Sequence, residues 1–178
     1  LMRMRDDLHA YVEDDGVLLA ICGGFQILGH EWLLGEEVVK GLGLVDMTTE
    51  RAPGGSGNRL IGNIALRSPL ADQAVVGYEN HAGRTHLGTG VEAFGDVASS
   101  TGHGNNDSDK RDGVRYKNVV GTYLHGPLLP KNPQVADALL IRALERRARR
   151  AGVPAPELAP LDDAVENAAN EYVRNRLN

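Results

Sequence analysis

The only cysteine in this 178-residue chain, Cys22, closes the unbroken apolar run Val17 to Ile21 and is followed at once by Gly23 and Gly24. A thiol attacks a carbonyl carbon as the thiolate, so a reactive cysteine needs surroundings that lower its pKa and a backbone that presents its sulfur. A turn from a strand into a helix meets both needs: the free N–H groups of the new helix favour negative charge, and glycines let the chain bend sharply. The N–H of Gly23 then stands where an oxyanion donor belongs. Taken alone, a cysteine behind an apolar strand is more often a small buried hydrophobe, so a base has to be found elsewhere. His125 follows a second apolar run, Val119 to Leu124, and precedes Gly126 and Pro127. It becomes a general base for Cys22 if the two runs are neighbouring strands that end on the same side of an open parallel sheet.

The elements needed to position this pair are legible in the periodicity. Residues 2 to 15 carry Met4, Leu8, Tyr11 and Val12 at helical spacing, with Gly16 as terminator. Val17 to Ile21 reads as a strand buried on both faces. Behind Cys22, the residues Phe25, Ile27, Leu28 and Trp32 predict a helix. Leu42 to Met47, Leu60 to Leu66, Val75 to Glu79 and Val91 to Val97 predict strands. The stretches Pro53 to Asn58 and Ser99 to Gly113 are polar enough to predict flexible loops outside the core. Pro133 suits the first turn of a helix with Val135, Ala138, Leu139 and Ala143 inward, and Asp162 the N-cap of a last helix to about Arg176.

Composition narrows the function classes. With 24 acidic against 19 basic residues the net charge is -5, which disfavours nucleic acid or an anionic membrane as a bulk partner. One cysteine excludes an internal disulfide framework, and the opening residues lack the apolar run of a signal peptide or membrane span, so a cytoplasmic location is expected. A hydrophobic content of 42% in 178 residues predicts one globular domain over the whole chain, with no direct membrane insertion. With 22 glycines and only 4% aromatic residues, that composition suits an α/β enzyme.

The segment Ile21-Cys22-Gly23-Gly24-Phe25-Gln26-Ile27-Leu28-Gly29 resembles the nucleophile elbow of class I glutamine amidotransferases, in the cobyric-acid-synthase-like branch. Gly121-Thr122-Tyr123-Leu124-His125-Gly126-Pro127 resembles the histidine motif of the same branch. Tyr78 to Thr85, Gly104 to Asp107, Tyr116 to Asn118 and Leu128 to Pro133 are similar to the GatD family, the amidotransferase subunit of lipid II isoglutaminyl synthase. The resemblance covers roughly residues 15 to 145. It implies a three-layer, flavodoxin-like α/β sheet with helices on both faces, and a glutaminase working through a Cys22–His125 dyad. It further implies substrate contacts from Arg59, Gly23, Gln26 and Asn80, with no metal and no cofactor. Arg59 would anchor the α-carboxylate of glutamine through its planar fork, although an arginine beside a glycine-rich loop is otherwise simply solvated. The ammonia would pass to MurT, a Mur-ligase-like partner that brings the ATP chemistry, for which this chain has no Gly-Lys-Ser/Thr loop.

Three departures from the family pattern are visible, the first being Ala20, which stands where many class I relatives have glycine. Pro127 stands where many class I enzymes carry the glutamate that orients the histidine, so that acid is expected elsewhere or from a partner. The chain also begins at the helix before the nucleophile strand and with Leu1, so the N-terminal strands, and with them the second oxyanion donor, are expected to be missing. The alternatives are a cobyric-acid-type amidotransferase and a non-catalytic scaffold subunit of the same fold. Asn80, His81 and Arg84 form a polar cluster that either lines the cleft or holds its loop, and the run Glu145 to Arg150 reads as basic residues complementing the end of a helix.

Overall fold

The computed structural model describes residues 1–52, 54 and 57–177. After a 3-10 turn at Met2–Met4 come α1 (Arg5–Glu13), β1 (Leu18–Ile21), α2 (Gly23–Gln26), β2 (Glu31–Leu34), β3 (Glu37–Lys40), β4 (Met47–Arg51), β5 (Leu60–Arg67) and β6 (Val75–His81). The rest of the chain forms β7 (Gly83–Leu87), β8 (Gly95–Val97), β9 (Arg111–Asp112), β10 (Val114–Tyr116), β11 (Val119–Thr122), α3 (Leu128–Lys131), α4 (Pro133–Ala151) and α5 (Ala164–Arg174). Among the described residues, no helix is long and apolar enough to cross a membrane.

The two apolar runs form the centre. β1 lies parallel to β11, with Leu18 opposite Val119 and Ile21 opposite Thr122, and β10 completes a three-stranded sheet. Because side chains alternate along a strand, both faces must be covered. Leu18, Ala20, Val119 and Tyr123 join Phe25, Leu28, Met47 and the α1 residue Val12 on one side. Leu19, Ile21, Val120 and Leu124 join Ile64, Leu66, Phe94 and the α4 residues Val135 and Leu139 on the other. Helices on both faces of this sheet fulfil the expected α/β class. Gly121 is required by packing, since a Cβ there would stand 2.4 Å from the Phe25 ring.

The remaining strands form two further four-stranded sheets, ordered β3-β2-β4-β7 and β6-β5-β8-β9. The first corrects a sequence expectation. The helix behind Cys22 is a single turn, and Trp32 sits in β2 opposite Val39 and Thr49. The turn ends because Leu42, Gly43 and Leu44 donate their N–H groups to the carbonyls of Ile27, Gly29 and Leu28 at 2.7–2.8 Å. The predicted strand Leu42 to Met47 is therefore a buried loop capping that turn, and pairing starts only at Met47. Gly35, at φ 81°, opens the two-residue connection between β2 and β3, the hairpin geometry a leading glycine allows.

The predicted strands at Leu60 and Val75 hold, and that at Val91 shortens to Gly95–Val97. The stretch Ser99 to Gly113 departs most from expectation, because Asn105, Asn106 and Asp112 in it are buried. Asn105 exchanges two hydrogen bonds with Gly113, and the buried Glu79 carboxylate accepts the N–H groups of His103 and Gly104, which replaces solvent for these polar groups. The other predicted loop, Pro53 to Asn58, lies partly outside the described residues. The long helix begins at Pro133 as expected, and Asp163 occupies the N-cap of α5 while the Asp162 carboxylate accepts the Ala164 N–H. The basic end of α4 is used by the two residues that follow α1, since Asp14 pairs with Arg146 and Arg150, and Asp15 with Arg149.

β6 is an edge strand, and side chains and backbone from outside its sheet bond the outward groups of Val76 and Tyr78. The Asn132 side chain accepts the Val76 N–H at 2.8 Å and donates to the Val76 and Leu128 carbonyls at 2.9 and 2.7 Å. Asn132→Ala leaves three buried backbone groups without these partners and is expected to lower unfolding stability by about 3 kcal/mol in urea denaturation; a change within ~0.5 kcal/mol would show the amide to be dispensable.

Candidate active site

The nucleophile candidate stands at a strained junction. Cys22 has φ 53° and ψ -111°, a left-handed conformation that costs a residue with a Cβ on the order of 1–3 kcal/mol. Two hydrogen bonds hold it there: its N–H donates to the Thr122 carbonyl at 2.9 Å, and its carbonyl accepts the Gln26 N–H at 2.9 Å. The sharp bend therefore resides in the cysteine itself. Gly23 and Gly24 have ordinary negative φ, and a Cβ on Gly23 would meet nothing within 4 Å, so the space over that residue is open. With α2 only one turn long, what it offers a negative charge is its first N–H groups rather than an extended dipole. Cys22 is half-buried and free of any disulfide.

His125 is reached from β11. Cys22 follows Ile21 directly, His125 lies three residues beyond the paired Thr122, and both therefore leave the same end of adjacent parallel strands. A pair of backbone hydrogen bonds ties His125 to Tyr78 on β6, N to O at 2.8 Å and O to N at 3.2 Å. Partial burial pushes the His125 imidazole below its usual range, and the charge of His81 pushes in the same direction. Among the described residues no carboxylate is hydrogen-bonded to its ring, and Pro127 caps α3 instead.

Behind the pair lies a buried column absent from the sequence reading. Tyr123 stacks on His81 with ring centroids 3.5 Å apart and meets Phe25 edge-on at 5.0 Å. Its hydroxyl accepts a hydrogen bond from Gln26 Nε2 at 3.1 Å and shares one with Thr85, which continues to Thr49. Burial pushes the Tyr123 hydroxyl up to about 12, so it stays a neutral phenol. His81 Nδ1 faces the Gly83 carbonyl at 2.8 Å, while Nε2 faces Glu79 at 3.9 Å, too far for a hydrogen bond. Burial opposes the charge of Glu79, yet the neighbouring His81 together with hydrogen bonds from Gly104 and His103 holds its carboxyl below the usual range. No fixed spacing marks Glu79, Tyr123 or Thr85 as partners, since each contact joins separate strands.

The other anticipated residues fall into two groups. Gln26 is buried, with its amide nitrogen committed to Tyr123. Arg59 is exposed at the entry to β5, and its guanidinium donates to Asn80 Oδ1 at 2.7 Å and to the Asn80 carbonyl at 2.8 Å. Asn80 thus holds Arg59 on the β6 edge, two residues from the His125 anchor, or about 7 Å along a strand. Arg84 is buried and grips Asp107 with two nitrogens, so within the polar cluster it holds the loop. A cavity of about 150 Å³ adjoins the elbow between Gly23, Gln26, Ile27 and the hairpin residues Trp32, Val39, Lys40 and Gly41.

Cys22, at a left-handed turn between a parallel strand and a helical turn of an α/β protein, has the backbone geometry of a nucleophile elbow. The chain belongs to the CobB/CobQ-like glutamine amidotransferase domain family, whose model matches residues 1–133. It is 39% identical over 180 aligned residues to the GatD subunit of the glutamine-hydrolysing lipid II isoglutaminyl synthase of Staphylococcus aureus, an alignment covering all of this chain and 68% of that protein. The GatD subunit of Streptococcus pneumoniae is 38% identical, over 80% of this chain and 54% of its own length. The cobyric acid synthase of Sphingopyxis alaskensis is 37% identical, over 76% of this chain and 26% of that protein. The chain thus spans between half and about two thirds of the two GatD subunits.

A lowered His125 pKa means that the neutral imidazole, the form able to accept a proton, persists to more acid pH than in a free histidine. An NMR titration of the His125 ring is expected to give a midpoint below the 6.5 of an unperturbed histidine, and a midpoint at or above 6.5 would contradict the effect of burial.

Proposed function

We propose that this protein is the glutamine-hydrolysing subunit of an amidotransferase that amidates the stem-peptide glutamate of lipid II. The observation that carries the reading is the left-handed Cys22 at the end of β1, with His125 leaving the same end of the parallel neighbour β11. In this mechanism His125 takes the Cys22 proton and the thiolate attacks the side-chain amide carbon of glutamine. The N–H of Gly23 stabilises the oxyanion, the C–N bond breaks, and His125 returns the proton to the departing ammonia. Water, deprotonated by His125, then cleaves the thioester to give glutamate and restore the thiol.

Arg59, held by Asn80, binds the α-carboxylate of glutamine as an exposed guanidinium along the same strand edge that anchors His125. Gln26 braces the elbow through Tyr123 while its N–H holds the Cys22 carbonyl. The ammonia passes in a cytoplasmic heterodimer to a MurT-like ligase, which activates the glutamate with ATP and also supplies the acid that orients His125. The isoglutamine so formed enters peptidoglycan and thereby contributes to cell-wall biogenesis and cell shape. Supply of ammonia to a corrinoid side chain is the second reading, supported by the likeness to cobyric acid synthases, which covers less of this chain than the likeness to the S. aureus subunit does.

Cys22→Ala is expected to abolish glutamate release with the fold retained by circular dichroism, and undiminished release would reject the reading. Arg59→Ala is expected to raise KM for glutamine by at least about tenfold, with a smaller change in kcat, as loss of a charged substrate contact predicts.

A further inference from the structure

Asp112, the second residue of β9, is fully buried beneath the turn that carries the chain from β11 to His125. Its Oδ2 accepts the Thr122 hydroxyl, and its Oδ1 accepts the Tyr123 N–H at 3.4 Å. The Thr122 Oγ1 accepts in turn the Leu124 N–H at 3.0 Å. Three consecutive residues are thereby tied to one carboxylate. Thr122 is also the residue whose carbonyl holds the Cys22 N–H, and Leu124 is the residue directly before His125. A single buried side chain consequently fixes the backbone on which nucleophile and base both depend.

We propose that Asp112 is a positioning residue for the Cys22–His125 pair, its carboxylate setting the Thr122–Leu124 turn and so the place from which His125 addresses Cys22. The inference rests on the Cys-His reading above. Asp112 touches no substrate and acts only through Thr122 and Tyr123.

The charge of this group separates positioning from plain structural support. Burial pushes the Asp112 carboxyl up to about 7, against the hydrogen bonds from Thr122 and Tyr123 and with the charges of Glu79 on β6 and Asp109 on the preceding loop. Tyr123, the titratable group facing it from the β11 side, is a neutral phenol. The folded value lies above the ordinary aspartate value of 3.8, so the folded state binds the extra proton: stability falls as pH rises between the two values and stays reduced above about 7. The ionised carboxylate, which best accepts both donors, is also the form that destabilises the fold. A purely structural residue would lose stability and activity together when replaced, whereas this one separates them.

The test is Asp112→Asn in the complete protein with its ligase partner, read by glutaminase kinetics and thermal unfolding at pH 6 and 8. The expected result is a fall in kcat of about tenfold or more, the scale of a small misplacement of reacting groups. KM for glutamine should stay within about twofold, and the midpoint of unfolding at pH 8 should not be lowered. A folded variant with unchanged kcat, or one whose stability at pH 8 falls in step with its activity, overturns the proposal. If Asp112→Asn does not fold, Thr122→Val and Thr122→Ser decide the matter. The valine variant should lose kcat and the serine variant, which keeps the hydroxyl, should retain it; wild-type kcat in the valine variant overturns the proposal. Cys22→Ala distinguishes the two levels: persistent glutamate release there defeats the Cys-His reading itself, while an inactive Cys22→Ala beside a fully active Asp112→Asn defeats only the positioning role.

Discussion

An edge strand must find partners for the N–H and C=O groups it turns away from its own sheet, and the site of this protein is assembled on that requirement. Along the outer edge of β6, Val76 is satisfied by the Asn132 amide, Tyr78 by the backbone of His125, and the Asn80 carbonyl by the guanidinium of Arg59. These are alternate residues of one strand, so a single register determines where the imidazole is anchored and where the cation is held. The inward residues of the same strand, Glu79 and His81, reach the column beneath the elbow. A slip by one residue would exchange the two sets and dismantle both.

The second constraint is the parallel pair at the centre. Because β1 and β11 run side by side, Cys22 and His125 leave the sheet at a common end although 103 residues separate them in the chain. Glycine at 121 allows Phe25 to press on β11, which seats the turn behind Cys22, and Tyr123 then packs against both Phe25 and His81. Strain at Cys22 is tolerated because backbone bonds on either side, to Thr122 and from Gln26, outweigh the local preference for another conformation.

How far the molecule could be read beforehand follows from the range of the forces involved. The strands at Val17 and Val119 and the helix at Pro133 were legible, since continuous apolarity and a first-turn proline are local signals. The helix expected behind Cys22 gives way to a single turn and the β2–β3 hairpin, because Phe25, Ile27, Leu28 and Trp32 satisfy helical spacing while the bonds that end the turn come from Leu42 to Leu44. Cys22, His125 and Arg59 stood out by motif. Asp112 and Glu79 did not, because their meaning depends on partners in other strands, and a polar loop gives no local sign that tertiary packing will bury it.

The lone thiol has a chemical consequence of its own. An exposed or half-exposed nucleophilic sulfur that meets peroxide passes first to the sulfenic acid, which a neighbouring cysteine normally rescues as a disulfide. This chain holds no second cysteine to play that part. Within these 178 residues a sulfenic acid at Cys22 therefore has no thiol to form a disulfide with.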